Sequence, residues 1–316
     1  MEYIRNTTEF QITEPTVISL GKFDGLHRGH ERLMCYLAQK KEQGLKTVIF
    51  TFDIPPKQQI EQEYEAKVLT TNHEKKHLFE AHGIDYLVEC PFTPEVMHME
   101  PEEFVKMIVQ QLQVKSLVVG TDFRFGHNRR GNYKLLQDLS KVYGYEVEVV
   151  NKVQEYGKDI SSTFIREEIY AGNIEKANHL LGYHYFVQGE VVHGNKIGRT
   201  LQMPTANLIP PAEKLLPPFG VYVSKTFIDG KCYGGISNVG CKPTIEGENP
   251  IGVETNLFDF DADIYGKEIK VEFLHAVRKE MKFQSLEELK QQMRKDVVYG
   301  REIVTQMLQS HVDIVT

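Results

Sequence analysis

Apolar residues in the first half of the chain alternate between short continuous runs and longer segments with helical spacing. The run Lys46–Phe52 is rich in β-branched and aromatic residues, which favours a strand buried on both faces. We predict strands at Thr16–Ile18, Lys46–Phe52, Tyr86–Val88, Ser116–Val119 and Tyr145–Val150, and helices from about Leu33 and over Glu74–His82, Glu102–Leu112 and Tyr133–Tyr143. This alternation predicts an α/β fold in which helices cover a parallel sheet. In such folds, ligands bind at the carboxyl ends of the strands.

The pattern changes near Gly182, and from Tyr185 onward short apolar runs are broken by glycine and proline. We predict strands at Phe186–Val192, Gly220–Phe227, Tyr233–Val239, Val253–Phe260 and Glu268–Leu274. Such runs are typical of an antiparallel β-barrel. Ser285 and Glu288 form a capping-box pattern before a helix-spaced apolar series, which predicts a terminal helix packed on the barrel. We therefore expect two domains, residues 1–183 and 184–316.

The composition is that of an ordinary globular protein, and it argues against several classes of partner and structure. Of 316 residues, 41% are hydrophobic, and the net charge of −7 gives no case for nucleic acid or an anionic membrane as a partner. No run approaches the roughly 20 apolar residues that span a membrane. The four cysteines lack metal-site spacing and are too few for a disulfide scaffold. We expect a cytoplasmic protein with reduced thiols, and its oligomeric state stays open.

The stretch SLGKFDGLHRGH, which ends at His30, lies between the first predicted strand and the first predicted helix. Gly21, Gly25 and Gly29 allow a sharp turn and a close approach of the backbone to a ligand. The amides and the dipole of the following helix favour a phosphate there. His27 and His30 are three residues apart, so both can point toward one phosphate. The stretch fits neither the Walker nor the GxGxxG pattern, so we expect the chemistry to rest on imidazoles.

GKFDGLHRGH resembles the GxFDGxHxGH signature of nucleotidylyltransferases, and the whole chain resembles the bacterial bifunctional riboflavin kinase/FMN adenylyltransferase family. The resemblance implies a Rossmann-like nucleotidylyltransferase domain followed by a riboflavin kinase barrel. It also implies ATP and Mg²⁺ as cofactors, with riboflavin, FMN and FAD as substrates and products. It gives His27 and His30 a catalytic role on the ATP phosphates, as neutral imidazoles or as imidazolium. The residues it assigns to ATP binding here are Gly21, Phe23, Asp24, Gly25 and Gly29.

A second motif, GTDFRFG, follows the predicted strand Ser116–Val119. Taken alone, the basic residues in and after it fit either a solvated loop or a ligand-binding loop. Its similarity to the family pattern GxDFxFGxxRxG implies contacts with flavin and nucleotide. The residues assigned to flavin binding are Asp122, Phe123, Arg124 and Phe125.

A third motif, ISSTFIR, precedes a helical pattern. Ser162 or Thr163 could serve only as a helix N-cap. Arg166 lies one turn further on, and its guanidinium suits phosphate oxygens. The resemblance to the family's ISSTxIR motif implies that this arginine faces the ATP phosphates. We therefore assign Arg166 to catalysis and Ser161, Ser162 and Thr163 to ATP binding.

Two motifs in the second half resemble the nucleotide site of riboflavin kinases. HGNKIGR resembles a glycine-containing nucleotide loop, which gives ATP-binding roles to His193, Gly194, Gly198 and Arg199. PTAN is a loop or strand start when taken alone. In this context, the oxygens of Thr205 and Asn207 are hard donors suited to Mg²⁺ that bridges nucleotide phosphates.

Phosphorylation of the ribityl hydroxyl needs a group that accepts or orients its proton. Glu254 matches the family's catalytic glutamate, although a strand glutamate taken alone would face solvent. It precedes FDFDADIYG, which is similar to the family's FDxDxYG signature. The aspartates of that run do not make a calcium loop, because Ile264 and Lys270 replace the required glycine and glutamate. Asn238 and Arg278 match family positions at the flavin site.

Two departures from the family pattern keep alternatives open. The histidine of the usual TFxPHP segment is absent after Thr51–Phe52, and Gln202–Met203 replaces the Gly-Phe that precedes PTAN. One alternative is a monofunctional FMN adenylyltransferase with a non-catalytic, flavin-binding barrel. The others are a flavin-binding regulator without turnover, and a nucleotidylyltransferase for another phosphate acceptor such as a phosphopantetheine. Small molecules are the expected partners in each case.

Overall fold

The computed structural model describes residues 1–53, 67–194, 203–241 and 250–312. Packing divides the chain into two compact units, Met1–Ser162 and Thr163–Thr316. Each unit has its own sheet and its own core.

The first unit is built on a parallel sheet. Its strands are β1 (Glu2–Arg5), β2 (Thr16–Leu20), β3 (Lys46–Phe52), β4 (Tyr86–Cys90), β5 (Val114–Gly120), β6 (Arg124–Phe125), β7 (Gly131–Asn132), β8 (Glu146–Val150), β9 (Gln154–Glu155) and β10 (Lys158–Asp159). Its helices are α1 (Glu31–Glu42), α2 (Asn72–Ala81), α3 (Pro94–His98), α4 (Pro101–Leu112) and α5 (Tyr133–Tyr143). Among the described residues the main sheet has the order β1-β4-β3-β2-β5-β8, and all neighbouring strands are parallel.

Alternating residues of the central strands enter two different cores. Ile18 of β2 lies in one core with Ile108 of α4, whereas Val17 lies in the other with Leu37 of α1. Successive strand residues point to opposite faces, so α4 and α5 cover one side of the sheet and α1 and α2 the other. All five residues of β2 are buried. The prediction that Lys46–Phe52 is a strand buried on both faces is confirmed, because the five residues from Thr47 to Thr51 are all buried.

The strand order puts a topological switch at β2. From β2 the chain builds the sheet through β3 and β4 on one side, and later crosses to β5 on the other side. In folds of this kind the loops that leave such neighbouring strands diverge, so the carboxyl ends of β2 and β5 are where a ligand crevice is expected. These two ends carry the Gly21–His30 stretch and the motif that starts at Gly120.

The predicted α/β fold is confirmed, with small shifts in element boundaries. Helix α5 forms over the predicted residues because Asn132 caps its first amides and Gly144 ends it with a φ of 71°. The sequence pattern missed β1. That strand is polar because it lies at the sheet edge and pairs with β4 alone among the described strands.

The second unit contains an antiparallel sheet and three helices in its described part. The strands are β11 (Phe186–Glu190), β12 (Ala206–Leu208), β13 (Gly220–Ile228), β14 (Lys231–Cys241), β15 (Ile251–Leu257) and β16 (Glu268–Lys279), and the helices are α6 (Ser162–Tyr170), α7 (Ile174–Leu181) and α8 (Leu286–Val312). The described strands have the order β11-β16-β13-β14-β15-β12. A bridge in which the amide of Val192 donates to the carbonyl of Asn207 at 2.9 Å links the two edges. The sheet is therefore a nearly closed barrel, as predicted.

The predicted terminal helix is confirmed as α8. The Ser285 hydroxyl accepts from the Glu288 amide at 3.1 Å, which caps the helix. Its apolar side, including Val297 and Val304, packs on barrel residues such as Val221. Helix α7 was missed because its short apolar pattern coincides with the change from alternating elements to strands.

Several positions of interest lie outside the described residues. They are the segment after Asp53 that lacks the family histidine, the ATP-binding candidates Gly198 and Arg199, and Gln202.

Candidate active sites

The Gly21–His30 turn leaves the carboxyl end of β2 and is fastened to the segment that precedes α2. The Asp24 carboxylate accepts hydrogen bonds from the amides of Leu69 at 2.8 Å and Thr70 at 3.0 Å. The amide of Gly25 donates to the Thr70 hydroxyl at 3.0 Å. Asp24, assigned to ATP binding from the sequence, therefore also anchors the turn.

Backbone geometry explains the residues inside this turn. Gly25 has a φ of 86°, a conformation that glycine adopts without strain. Phe23 and Leu26 also have positive φ values, 47° and 35°. Both side chains are almost fully buried, and packing of the Phe23 ring edge-on against Phe79 holds the turn in this shape.

The two histidines of the turn stack on each other. Their ring centroids are 3.9 Å apart, with 22° between the ring planes. Gly29 makes this possible, because a Cβ at that position would lie 2.8 Å from atoms of the His27 ring. The Nδ1 atoms of His27 and His30 are both buried and have no hydrogen-bond partner among the described residues. Buried polar atoms without a partner are rare, and a bound ligand explains them well.

Burial sets the charge of this pair. It lowers the pKa of His27 to about 4, against the opposing effects of a backbone hydrogen bond and of Asp122. Burial, and next the neighbouring His27, lower the pKa of His30 well below its usual value. Without ligand both rings are therefore neutral at pH 7, so the neutral imidazole is favoured over the imidazolium. Each neutral ring offers one N–H donor to a phosphate oxygen.

The ISSTFIR motif is tied to the same turn through one serine. The Ser162 hydroxyl donates to the carbonyl of Asp24 at 2.8 Å. Ser161 is partly buried and Thr163 is exposed at the start of α6. Arg166 lies one turn further along α6 with its side chain half-buried.

The loop after β5 forms the small hairpin β6–β7. Phe125 is buried, stacks on Phe123 at 5.6 Å and packs on Phe104. Gly131 is required opposite it, because a Cβ there would lie 2.8 Å from the Phe125 ring. Of the predicted flavin-binding residues, Phe125 is thus an anchor of the loop. Asp122 and Arg124 are exposed, and Phe123 is half-buried.

In the second unit, four predicted site residues lie in one row across the sheet. Asn207 of β12 is opposite Glu254 of β15, which is opposite Asn238 of β14. Asn238 is opposite Val221 of β13, and Val221 is opposite Arg278 of β16. Residues directly opposite in an antiparallel sheet share a face. The structure therefore brings Asn207, Glu254, Asn238 and Arg278 to one face of the barrel.

Oxygen atoms converge at one end of this row. The Thr205 hydroxyl donates to the Glu254 carboxylate at 2.5 Å, and the buried Asn207 is the neighbour of Glu254 in the ladder. Gly194 approaches closely, because a Cβ there would meet the Asn207 carboxamide at 2.6 Å. Hydroxyl, carboxamide and carboxylate oxygens are the ligands that Mg²⁺ prefers, so this donor set fits that ion.

A cavity of about 400 Å³ opens beside these residues. Its walls combine the PTAN segment, including Thr205, with Phe260 and Tyr265 of the FDFDADIYG segment. The ring of His193 lies 3.9 Å from the ring of Tyr265. An apolar and aromatic wall next to hard oxygen donors suits a nucleotide, which has a flat base and a charged phosphate tail.

Comparison with known proteins identifies the family. A model described as FAD synthetase matches residues 9–164, and one described as riboflavin kinase matches residues 181–304. The bifunctional riboflavin kinase/FMN adenylyltransferase of Bacillus subtilis (strain 168) is 37% identical over 286 residues, which cover 89% of this chain and 90% of that protein. The chain belongs to the bifunctional riboflavin kinase/FMN adenylyltransferase family.

Another member of the family and one solved structure extend the likeness over nearly the whole chain. The Escherichia coli (strain K12) bifunctional riboflavin kinase/FMN adenylyltransferase is 34% identical and covers 92% of this chain and 93% of its own. A crystal structure of a macrolide-efflux protein from Streptococcus pneumoniae has a TM-score of 0.83 at 31% identity, and covers 95% of this chain and 98% of its own. Among the described residues of the present chain, no helix is both long enough and apolar enough to span a membrane.

The structure of this family member also shows residues at the site that the sequence analysis did not identify. Lys152, just past β8, contacts Asp122 at 3.1 Å and Asp159 at 3.0 Å. Arg28, between the two histidines, pairs with Glu155 at 2.6 Å. Hairpin β9–β10 thus connects the histidine turn to the loop after β5. The sequence shows Lys152 and Arg28 but not their ion-pair partners. Those partners lie 30 or more residues away or in a hairpin that the sequence pattern did not predict.

A further residue that was missed holds Arg278. Asp296 of α8 accepts from Arg278 Nη2 at 2.8 Å and from Nε at 3.2 Å. It also accepts from the Gln292 carboxamide at 2.9 Å. Asp296 is only 4% exposed, so the guanidinium is fixed by a buried carboxylate. A residue after the predicted capping box gave no signal of this role.

Proposed function

We propose that this chain phosphorylates riboflavin to FMN and then adenylylates FMN to FAD, with ATP as the donor in both steps. The observation that carries the proposal is that one member of this family holds two groups of residues whose chemistry suits phosphate binding. One is the histidine turn at the switch point of the parallel sheet, and the other is the oxygen-rich end of the cross-strand row on the barrel.

Adenylylation is assigned to residues 1–183. A phosphate oxygen of FMN attacks the α-phosphorus of ATP in line and expels pyrophosphate, so no covalent enzyme intermediate is needed. The Nδ1 atoms of His27 and His30 have no hydrogen-bond partner among the described residues, which supports a role as donors to the phosphate oxygens that gain charge. Arg166 adds positive charge on the leaving pyrophosphate. The Gly21, Gly25 and Gly29 backbone makes room for the triphosphate, and Asp122 with the following loop holds FMN.

Phosphorylation is assigned to residues 184–316. Glu254 accepts the proton of the terminal ribityl hydroxyl as that oxygen attacks the γ-phosphorus of ATP and ADP leaves. The hydrogen bond from Thr205 supports this role, because it orients the carboxylate. Thr205 and Asn207 would hold Mg²⁺, which neutralises the charge of the nucleotide phosphates when bound. Asn238 and Arg278 would hold the flavin in the same row.

The substrates, the metal ion and the cellular location that we propose follow from the same assignment. The substrates are the small molecules riboflavin, FMN and ATP, and Mg²⁺ serves both sites. We place the protein in the cytoplasm, where its thiols stay reduced. Its net charge of −7 gives no case for nucleic acid as a partner.

The test is separation of flavins by chromatography after purified protein is incubated with Mg-ATP, once with riboflavin and once with FMN. The proposal predicts FAD from both substrates, with FMN as the intermediate in the first reaction. FAD from FMN alone would reject the kinase assignment. No product from either substrate would reject both activities.

A further inference from the structure

The exposed side of α2 carries two histidines that neither proposed reaction uses. His73 and His77 are one helical turn apart, with ring centroids at 4.7 Å and ring planes at 87°. Their Nε2 atoms are 3.3 Å apart. Glu74, Lys75 and Phe79 on the opposite side of the helix are buried and fix its orientation in the first unit.

The Nε2 to Nε2 distance matches that of two imidazoles on one tetrahedral ion. Zinc–nitrogen bonds of roughly 2.0–2.1 Å at a tetrahedral angle place the two nitrogens roughly 3.3–3.4 Å apart. A direct N–H···N hydrogen bond would favour a shorter separation, closer to 3 Å. The pair is therefore spaced for a shared ion.

A carboxylate lies beside one of the rings. His77 Nδ1 lies 3.3 Å from Glu80 Oε2, one turn along the same helix. The nearby carboxylate favours the tautomer with the proton on Nδ1, which leaves the lone pair on Nε2, the atom that lies 3.3 Å from His73 Nε2. Carboxylate–histidine pairs of this kind orient metal ligands and raise their basicity.

We propose that His73 and His77 form a binding site for a divalent transition-metal ion of the Zn²⁺ class. Both imidazoles are on one helix, whose start is fixed by the Thr71–Glu74 capping box, so little conformational entropy is lost on binding. Imidazole nitrogen suits Zn²⁺ and is a poor ligand for Mg²⁺. The Mg²⁺ that accompanies ATP therefore does not compete for this site.

The experiment is a Zn²⁺ titration of the full-length, chelator-treated protein against a chromophoric zinc indicator, in buffer that contains Mg²⁺. Wild type is expected to take up one more equivalent of Zn²⁺ than His73→Asn or His77→Asn. The difference isolates this pair from the rest of the 12 histidines. His82→Asn is the matched control, because His82 ends the same helix and contacts the Leu78 carbonyl at 2.7 Å. It should retain the additional equivalent.

A second variant tests the carboxylate. Glu80→Gln is expected to keep the stoichiometry and to weaken Zn²⁺ binding by about 10-fold or more. Equal stoichiometry and affinity in wild type and both histidine variants would overturn the proposed site. An affinity that Glu80→Gln leaves unchanged would overturn the orienting role of Glu80.

Discussion

Thr205 and Glu254 are joined by a 2.5 Å hydrogen bond in which the threonine hydroxyl donates to the carboxylate. The bond connects the PTAN segment to β15, where Glu254 is the ladder partner of Asn207. A glutamate that would otherwise rotate in solvent is thus held beside two other oxygen donors. This arrangement makes Glu254 the residue on which the kinase assignment depends.

Glu254→Gln should therefore lower riboflavin phosphorylation by on the order of 10²-fold or more, because a carboxamide cannot accept the hydroxyl proton. Initial rates of FMN formation from riboflavin measure this effect. Adenylylation of FMN, which is assigned to residues 1–183, should stay at the wild-type rate.

Thr205 provides the matched control for that variant. Thr205→Ser keeps the hydroxyl donor and should retain most of the kinase rate, whereas Thr205→Val should lose much of it. Wild-type FMN formation by Glu254→Gln would remove the base assignment.

The adenylyltransferase assignment depends on the stacked histidines. His30→Ala should lower FAD formation from FMN by on the order of 10²-fold or more, because a phosphate-stabilising donor is lost. Riboflavin phosphorylation by the same preparation should be spared, which also shows that the variant is folded in its second unit. Near-normal FAD formation would contradict the assignment.

Burial of His27 predicts a pH-dependent stability. The folded pKa of about 4 lies below the ordinary value of 6.5, so the unfolded chain binds the proton more readily. Stability that is present above pH 6.5 is therefore lost as the pH falls toward 4. From pH 7 to pH 5, His27 alone should lower the free energy of unfolding by about 2 kcal/mol. Urea unfolding at both pH values, compared between wild type and His27→Asn, measures this loss. A loss of the same size in the variant would contradict the prediction.

The ion pair between Arg278 and Asp296 leads to a second prediction about stability. Asp296→Ala leaves the guanidinium of Arg278 without its buried partner and should cost about 3–5 kcal/mol in the free energy of unfolding. The exposed pair of Asp229 and Lys267 is the control, and Asp229→Ala should cost less than about 1 kcal/mol.

The same aspartate should act on riboflavin binding. Freed from Asp296, Arg278 no longer holds one position in the flavin row, so Asp296→Asn should raise the KM for riboflavin by about 10-fold with little change in kcat. An unchanged KM would show that Arg278 does not need this support.

Local sequence patterns predicted the fold more completely than they predicted the contacts within the sites. Glycine spacing and two histidines located the turn after β2, because a strand end, a turn and a helix start are all local features. The anchoring of Asp24 by Leu69 and Thr70 was not predictable, since it joins segments 45 or more residues apart. The row from Asn207 to Arg278 was equally hidden, because strand register depends on pairing that no single strand encodes.

The measurement that tests the account most directly uses the His30→Ala and Glu254→Gln variants with riboflavin and Mg-ATP, first separately and then mixed. His30→Ala should stop at FMN, Glu254→Gln should leave riboflavin unchanged, and the mixture should produce FAD, because FMN made by one protein is the substrate of the other. FAD made from riboflavin by Glu254→Gln alone, or no FAD from the mixture, would contradict two separate sites in one chain.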